Sequence, residues 1–255
     1  MSDGWSRQEL ARQLRDLGLG AGAKVLVHSS LSSLGRVDGG AETVVDALLD
    51  VISPEGTLIV PTLTGSEDVG PRHELRFDPA SDAGWTGIIP ETVRRRPEAV
   101  RSLHPTHSVA AIGADAASIT AGHEDCITPC GPGSPYLRLA EDPRGCVLLL
   151  GVGHESNTTL HAVEELSGSP FHLQREPVHA SIRTATTVIR RTFWAHAYGT
   201  PRRFGAIEPL LVERGIQTSG PVGAATARLM RSGALVELGR EVLRASPEFF
   251  VAESE

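Results

Sequence analysis

Apolar residues recur along the chain in two different periods, and the change between them predicts where helices and strands lie. A spacing of three and four positions is typical of a helix with one buried face, whereas a short apolar run bounded by glycine or proline is typical of a buried strand. These patterns predict helices at residues 7–17, 40–52, 85–96, 114–122, 204–215 and 222–232, and one that begins near 156; they predict strands at 24–28, 57–62, within 101–112, at 146–150, as a pair within 179–194, and at 234–238. Helices and strands that alternate in this way indicate an α/β protein.

Two irregular stretches interrupt this alternation. Residues 63–84 form a polar segment rich in acidic residues, and residues 123–136 are rich in glycine and proline. Long loops inside compact domains are often functional. We find no internal repeat and no low-complexity linker, so we predict one domain over residues 1–255, in which the part from about residue 175 is a mixed strand and helix portion.

The charge and the cysteines narrow the class of partner. The formal net charge of −7 argues against a nucleic-acid-binding protein, which would carry a basic face, and suits a cationic small molecule. Three cysteines do not suggest a disulfide framework. The N-terminus lacks a signal peptide and no apolar run could span a bilayer. We therefore expect a cytoplasmic protein that does not associate with membranes and is a monomer or a homodimer.

A serine-rich loop follows the first predicted strand. Such a loop between a strand and a helix can present backbone N–H groups to an anion, for example the pyrophosphate of a nucleotide cofactor. The candidate cofactor-binding residues of this loop are Ser29, Ser30, Ser32, Ser33, Leu34 and Gly35. The alternative is that the serines only cap the helix that follows.

A histidine and a glutamate follow the most apolar strand. His161 and Glu164 are three positions apart, so on a helix they share one face. A carboxylate there can hold the imidazole in one tautomer and raise its basicity, which is the arrangement that a general base requires. Glu165 is a weaker partner because it projects differently. The alternative is an ordinary exposed pair on a capped helix.

Other histidines and cysteines are weaker candidates. His104 and His107 could contact substrate, although a structural role for turn histidines is equally compatible with the pattern. The segment from His123 to Cys130 contains possible zinc ligands but lacks a second ligand pair, so we predict no metal site. No motif marks any of the cysteines as an activated nucleophile.

Taken in order, six segments resemble the aminoglycoside 3-N-acetyltransferase family. They are VLVHSSLSSLGRVDGG (25–40), GTLIVPTLT (56–64), RSLHPTHSVAAIG (101–113), GPGSPY (131–136), LLGVGHESNTTLHAVE (149–164) and, more softly, FGAIE (204–208). The resemblance implies an α/β/α sandwich distinct from the GNAT fold. It also implies acetyl-CoA as the acetyl donor and, as the acceptor, the 3-amino group of the 2-deoxystreptamine ring of an aminoglycoside antibiotic.

The resemblance also assigns roles to individual residues. The family's Leu-His-x-x-Glu motif falls on Leu160, His161 and Glu164, and the serine of its His-Pro-x-x-Ser motif is Ser108, which we expect near the cofactor. Acidic residues of the long loop, namely Glu67, Asp68 and Asp78, could bind the cationic acceptor, although loop acids often serve only solubility. Direct transfer of the acetyl group to the amine, with His161 as base, is favoured over a mechanism with an acyl-enzyme intermediate.

Three other functions remain compatible with the motifs. The chain could be an acyltransferase of the same fold that acts on a different amine in a biosynthetic pathway. It could also be a non-catalytic protein that sequesters CoA or a drug, although the intact His161–Glu164 pair argues against this. A cysteine-dependent arylamine-type transferase is disfavoured because no Cys-His-Asp pattern is visible.

Overall fold

The chain alternates between strands and helices, and a computed structural model describes it over residues 4–252. The strands are β1 (Lys24–Ser29), β2 (Thr57–Pro61), β3 (Leu75–Phe77), β4 (Val100–Arg101), β5 (Val109–Gly113), β6 (Gly145–Leu150), β7 (Val178–Arg183), β8 (Val188–Phe193), β9 (Gln217–Val222) and β10 (Ala225–Arg231). The α-helices are α1 (Arg7–Leu17), α2 (Gly40–Ile52), α3 (Ile88–Arg95), α4 (Ala116–Thr120), α5 (Pro135–Glu141), α6 (Thr159–Leu166), α7 (Glu208–Glu213) and α8 (Ser232–Ala245).

Seven strands form the main sheet, in the order β4-β5-β2-β1-β6-β10-β9. The three central strands, β2, β1 and β6, are parallel, and the strands on both sides of them are antiparallel to their neighbours. His28 is paired with Leu149 in the register of β1 and β6. The carboxyl ends of the three parallel strands therefore meet at one edge of the sheet.

Helices cover both faces of this sheet. Because side chains alternate along a strand, Val25 and Val27 pack with helices α1, α2 and α3 on one face, whereas Leu26 packs with α4, α5, α6 and α8 on the other. The predicted α/β/α sandwich is confirmed. The same alternation places His28 on the α6 side. No helix within residues 4–252 is apolar over a stretch long enough to cross a membrane.

A second sheet has three strands, in the order β3-β7-β8. The prediction of paired strands within 179–194 is confirmed by the antiparallel β7–β8 pair. The segment 63–84 was expected to lack regular structure, but it contributes β3, which pairs in parallel with β7. Three residues cannot show a period, so the sequence carries no signal for this strand. The single domain remains a prediction.

Two elements near the C-terminus were predicted wrongly. The predicted helix at 222–232 is strand β10, joined to β9 by a turn at Gly223, and the predicted strand at 234–238 lies within helix α8. Residues 223–232 (GAATARLMRS) are mostly good helix formers. However, pairing with β6 buries alternate apolar side chains of β10, and this distant contact outweighs the local preference.

Candidate active site

A cavity of about 320 Å³ opens at the carboxyl ends of β1 and β2. This edge of a parallel sheet is where α/β proteins commonly hold their ligands. The residues that line it are His28, Ser29, Pro61, Leu63, Trp85, Thr86, Gly87, Glu155, Ser156, Thr158 and His161. The cavity therefore brings together the ends of two strands, the segment before α3 and the start of α6.

His161 lies in the first turn of α6, and its side chain is 29% exposed. The Nδ1 atom of His161 is 3.3 Å from Oε2 of Glu164, as the spacing of three positions predicts for one helix face. With Nδ1 engaged by the carboxylate, the Nε2 atom of the ring is left to accept a proton. The pair has the geometry of a base and its orienting carboxylate.

Three cationic or hydrogen-bonding side chains hold Glu164, which is only 2% exposed. Besides His161, the Oε2 atom contacts Nδ1 of His172 at 2.8 Å, and Oε1 accepts the Nε–H of Arg202 at 2.7 Å. Burial opposes ionisation of Glu164, but the hydrogen bonds from both histidines outweigh it and hold the pKa of this carboxyl well below its usual value. Glu164 is therefore an anion at neutral pH.

The neighbouring carboxyl, Glu165, has different partners. Its Oε1 atom contacts Nε2 of His196 at 2.7 Å and accepts the backbone N–H of Cys130 at 2.9 Å. Burial raises the pKa of Glu165 to about 8, so this carboxyl keeps its proton at neutral pH. Of the two adjacent glutamates, only Glu164 offers His161 a negative charge.

A second cavity, of about 580 Å³, adjoins the first and shares Ser29 and Gly87 with it. Four of the predicted cofactor residues line it, namely Ser29, Ser30, Ser32 and Gly35. The Oγ atom of Ser29 is buried and has no hydrogen-bond partner within the described chain. Since a buried hydroxyl without a partner is costly, Ser29 is suited to bind a ligand where the two cavities meet.

The other predicted cofactor residues lie elsewhere. The hydroxyl of Ser33 donates to Ser30 at 2.9 Å, and Leu34 is fully buried in the core beside α1 and α2. Ser108 is also fully buried, and its hydroxyl donates to the carbonyl oxygen of Thr62 at 2.9 Å. None of these three side chains lines either cavity.

The two histidines of the His-Pro segment are buried rather than on the cavity wall. The Nδ1 atom of His104 accepts the backbone N–H groups of Thr106 and His107, and its ring packs edge-on against Phe193. His107 lies deeper than His161, with their ring centroids 6.4 Å apart. Burial holds the pKa of both histidines well below 6.5, so both are neutral. Contact with substrate remains a prediction for them.

The loop acids do not reach the cavity. Glu67 and Asp68 are exposed at a turn, and Asp78 lines a different hollow beside the three-stranded sheet. Acceptor binding by these acids remains a prediction. The carboxylate that does line the cavity is Glu155, and sequence reasoning missed it together with Trp85 and His28. A signal for Glu155 existed, because it lies between β6 and α6, beside the motif of His161.

Within residues 4–252, two groups of side chains are close enough to hold a metal ion. They are His107, Cys130 and His196, and His161, His172 and His196, with ligand atoms within 4.8 Å of one another. The rings of His161 and His172 are stacked, with an angle of 21° between their planes, so their in-plane lone pairs do not point at a common centre. One nitrogen of His172 already contacts Glu164, and one nitrogen of His196 already contacts Glu165. That the protein binds no metal ion remains a prediction.

Comparison with known proteins identifies the family. The family profile described as aminoglycoside 3-N-acetyltransferase matches residues 26–244. The chain is 36% identical over 246 residues to aminoglycoside N(3)-acetyltransferase IV of Salmonella sp., an alignment that covers 94% of this chain and 89% of that protein.

Solved structures agree with the family profile. The chain superposes with a TM-score of 0.83 on a His-to-Ala variant of aminoglycoside acetyltransferase AAC(3)-IVa in complex with a gentamicin, at 34% identity, with 99% of this chain and 93% of that chain covered. It superposes equally well, with a TM-score of 0.83, on the binary complex of AAC-IIIb with CoASH, at 28% identity, with 99% and 100% covered. The chain therefore belongs to the aminoglycoside 3-N-acetyltransferase family and is an acetyltransferase.

Proposed function

We propose that this chain transfers the acetyl group of acetyl-CoA directly to the 3-amino group of the 2-deoxystreptamine ring of an aminoglycoside, with His161 as the general base. The observation that carries the proposal is the His161–Glu164 pair on a cavity that continues into the serine-lined cavity. The cavity of His161 can hold the acceptor amine beside the base, and the serine-lined cavity can hold the donor. The related structures with a gentamicin and with CoASH support the same two ligands.

The serine-lined cavity suits the donor. Ser29, Ser30 and Ser32 line its wall, as does Arg36, a largely exposed cation whose Nε atom is 3.6 Å from Oδ1 of Asp38. Phosphate groups are bound by such cations and by N–H and hydroxyl donors. The thioester would then reach the shared wall at Ser29, beside the cavity of His161.

The chemistry follows from the geometry of His161. The acceptor amine must be uncharged to act as a nucleophile. Its nitrogen attacks the thioester carbonyl carbon, a C–N bond forms and the π electrons move to the oxygen. His161 removes the proton from the attacking nitrogen, and the anion Glu164 stabilises the imidazolium. When the carbonyl re-forms, the C–S bond breaks and the CoA thiolate takes the proton back from His161.

Glu164→Gln tests the orienting carboxylate. The amide keeps the size of the side chain but removes the charge that stabilises the imidazolium. We expect kcat to fall by roughly 10–10²-fold, which is part of the contribution of the base itself, while KM for acetyl-CoA changes little. Steady-state CoA release, read with a thiol reagent, measures both. Unchanged kcat in the folded variant would remove Glu164 from the mechanism.

Removal of the cysteines tests direct transfer. Cys126, Cys130 and Cys146 are all buried, and burial raises the pKa of each thiol, that of Cys126 to about 11. They are therefore neutral thiols at pH 7 and poor nucleophiles. We expect a variant with all three replaced by alanine or serine to keep kcat within about threefold. Loss of turnover in a variant with wild-type circular dichroism would instead favour an acyl-enzyme.

A further inference from the structure

The cavity of His161 carries an aromatic side chain that the transfer mechanism does not use. Trp85 lines the cavity and is 65% exposed. Its indole Nε1–H donates to the carbonyl oxygen of Gly65 at 2.8 Å, and its backbone N–H donates to Leu63 at 3.0 Å. The first bond fixes the indole, and the second fixes the backbone of Trp85. The indole is thus held in place while most of its surface is open to a ligand.

A carboxylate from another segment lines the same cavity. Glu155 is exposed, and its Oε1 atom accepts the backbone N–H of Gly205 at 3.0 Å. This bond orients the carboxylate and leaves its negative charge available to a cation. Trp85 and Glu155 therefore give the cavity an aromatic surface and an oriented anion, in the same cavity as His161.

An aromatic surface next to a carboxylate is suited to an aminated sugar ring. The C–H face of the sugar packs on the indole, and its ammonium groups are attracted to the indole π face and to the carboxylate. We propose that Trp85 and Glu155 form an acceptor clamp, which binds one aminated sugar ring so that a neighbouring amine faces His161. This inference rests on the proposed function, because it assigns the cavity of His161 to the acceptor.

Two observations favour the acceptor over the donor as the ligand of the clamp. Trp85 lines the cavity of His161 but not the serine-lined cavity, whose wall nearby is formed by Gly87 and Ile88. The volume of about 320 Å³ is at the lower end of the range for ligand pockets, roughly 300–1,000 Å³, and fits a ring system rather than a whole CoA.

Trp85→Ala, Trp85→Phe and Glu155→Gln test the clamp in steady-state assays with gentamicin and kanamycin. We expect Trp85→Ala to raise KM for the aminoglycoside roughly tenfold, because the lost contact is worth about one decade in affinity. Trp85→Phe keeps an aromatic face and should recover most of this loss. Glu155→Gln keeps the acceptor for the Gly205 N–H, and the KM increase should shrink at high salt. In all three variants, KM for acetyl-CoA should stay within about twofold of wild type.

Matched controls are available on other surfaces of the chain. Trp194, which is 37% exposed, and the exposed Glu213 of α7 do not line the cavity. Trp194→Ala and Glu213→Gln should leave both KM values unchanged. If Trp85→Ala instead raises KM for acetyl-CoA alone, the indole contacts the donor and the clamp is wrong. Unchanged KM for the aminoglycoside in both Trp85→Ala and Glu155→Gln also overturns it.

Direct binding separates this inference from the proposed function. Calorimetric titration of gentamicin into the wild-type chain and into Trp85→Ala measures the clamp without turnover. Binding that weakens tenfold in the variant supports the clamp even if no acetylation is detected, in which case only the proposed function fails. Normal acetylation by both proteins with equal gentamicin affinity would leave the proposed function intact and contradict the clamp.

Discussion

His161→Ala is expected to lower kcat by roughly 10²–10⁴-fold, the usual contribution of a general base. An aminoglycoside amine is largely protonated at neutral pH, so it first releases one proton to water to become a nucleophile, and the attacking nitrogen loses a second proton as the C–N bond forms. In the structure, His161 is the imidazole that both lines the cavity and has an ionised carboxylate at Nδ1. In the variant that lacks the imidazole of His161, the proton of the attacking nitrogen passes only to water. KM for acetyl-CoA should change little, because the serine-lined cavity is intact.

A histidine far from the cavity provides the matched control. His179 lies on the exposed face of β7, where Nδ1 contacts the hydroxyl of Thr192, and His179→Ala should keep wild-type kcat. Thermal unfolding and calorimetric CoA binding establish that the His161→Ala variant is folded. If that variant turned over its preferred acceptor within threefold of the wild-type rate, His161 would not be the base.

The second large effect is a loss of stability in mild acid. Burial lowers the pKa of seven of the ten histidines. They are His28, His104, His107, His123, His154, His172 and His196. Below about pH 6.5 the unfolded chain binds protons at these side chains while the folded chain does not. The free energy of unfolding therefore falls as the pH falls.

A histidine whose pKa in the folded chain lies far below 5 costs at most about 2 kcal/mol between pH 7 and pH 5. Glu165 offsets part of the loss, since its pKa of about 8 means that the folded chain keeps a proton that the unfolded chain releases at neutral pH. Because seven side chains act in one direction and Glu165 in the other, we expect a net loss of stability as the pH falls. We expect the free energy of unfolding, measured by urea denaturation with far-ultraviolet circular dichroism, to be smaller at pH 5 than at pH 7.

Thermal scans at pH 7.5 and 5.5 check the same expectation. The midpoint temperature should drop steeply between the two pH values in the wild-type chain. It should drop equally in His179→Asn, since this histidine is exposed. A midpoint temperature that stays constant down to pH 5 would show that the buried histidines do not set the acid stability.

Helices and strands could be predicted where the apolar pattern extends over a long segment or where the strand lies in the centre of the sheet. Helix α1 has the capping box of Ser6 and Glu9, and β1, β2 and β6 are continuous apolar runs. The predictions were wrong at β10 and α8, where local helix preference and strand pairing disagree. The short strand β3 carries no period, and only its pairing with β7 defines it.

The candidate site was predictable where a motif fixes the spacing along one helix or loop. His161 and Glu164 are on one helix, and four of the six predicted loop residues line the serine-lined cavity. The pairing of Trp85 with Glu155 could not be predicted, because these residues are 70 positions apart in the sequence and line one cavity only in the folded chain. Ser108, His104 and His107, in contrast, are buried, and their polar groups bond within the interior of the fold.

The position of the acetyl group in the product is the most direct test of the proposed transfer to the 3-amino group. Wild-type chain is incubated with acetyl-CoA and gentamicin, CoA release is followed, and the acetylated amine is assigned by nuclear magnetic resonance. We expect one acetyl group per acceptor, on the 3-amino group of the 2-deoxystreptamine ring, formed with one equivalent of CoA. No CoA release with kanamycin-, gentamicin- or neomycin-type acceptors, or an acetyl group on another amine, would contradict it.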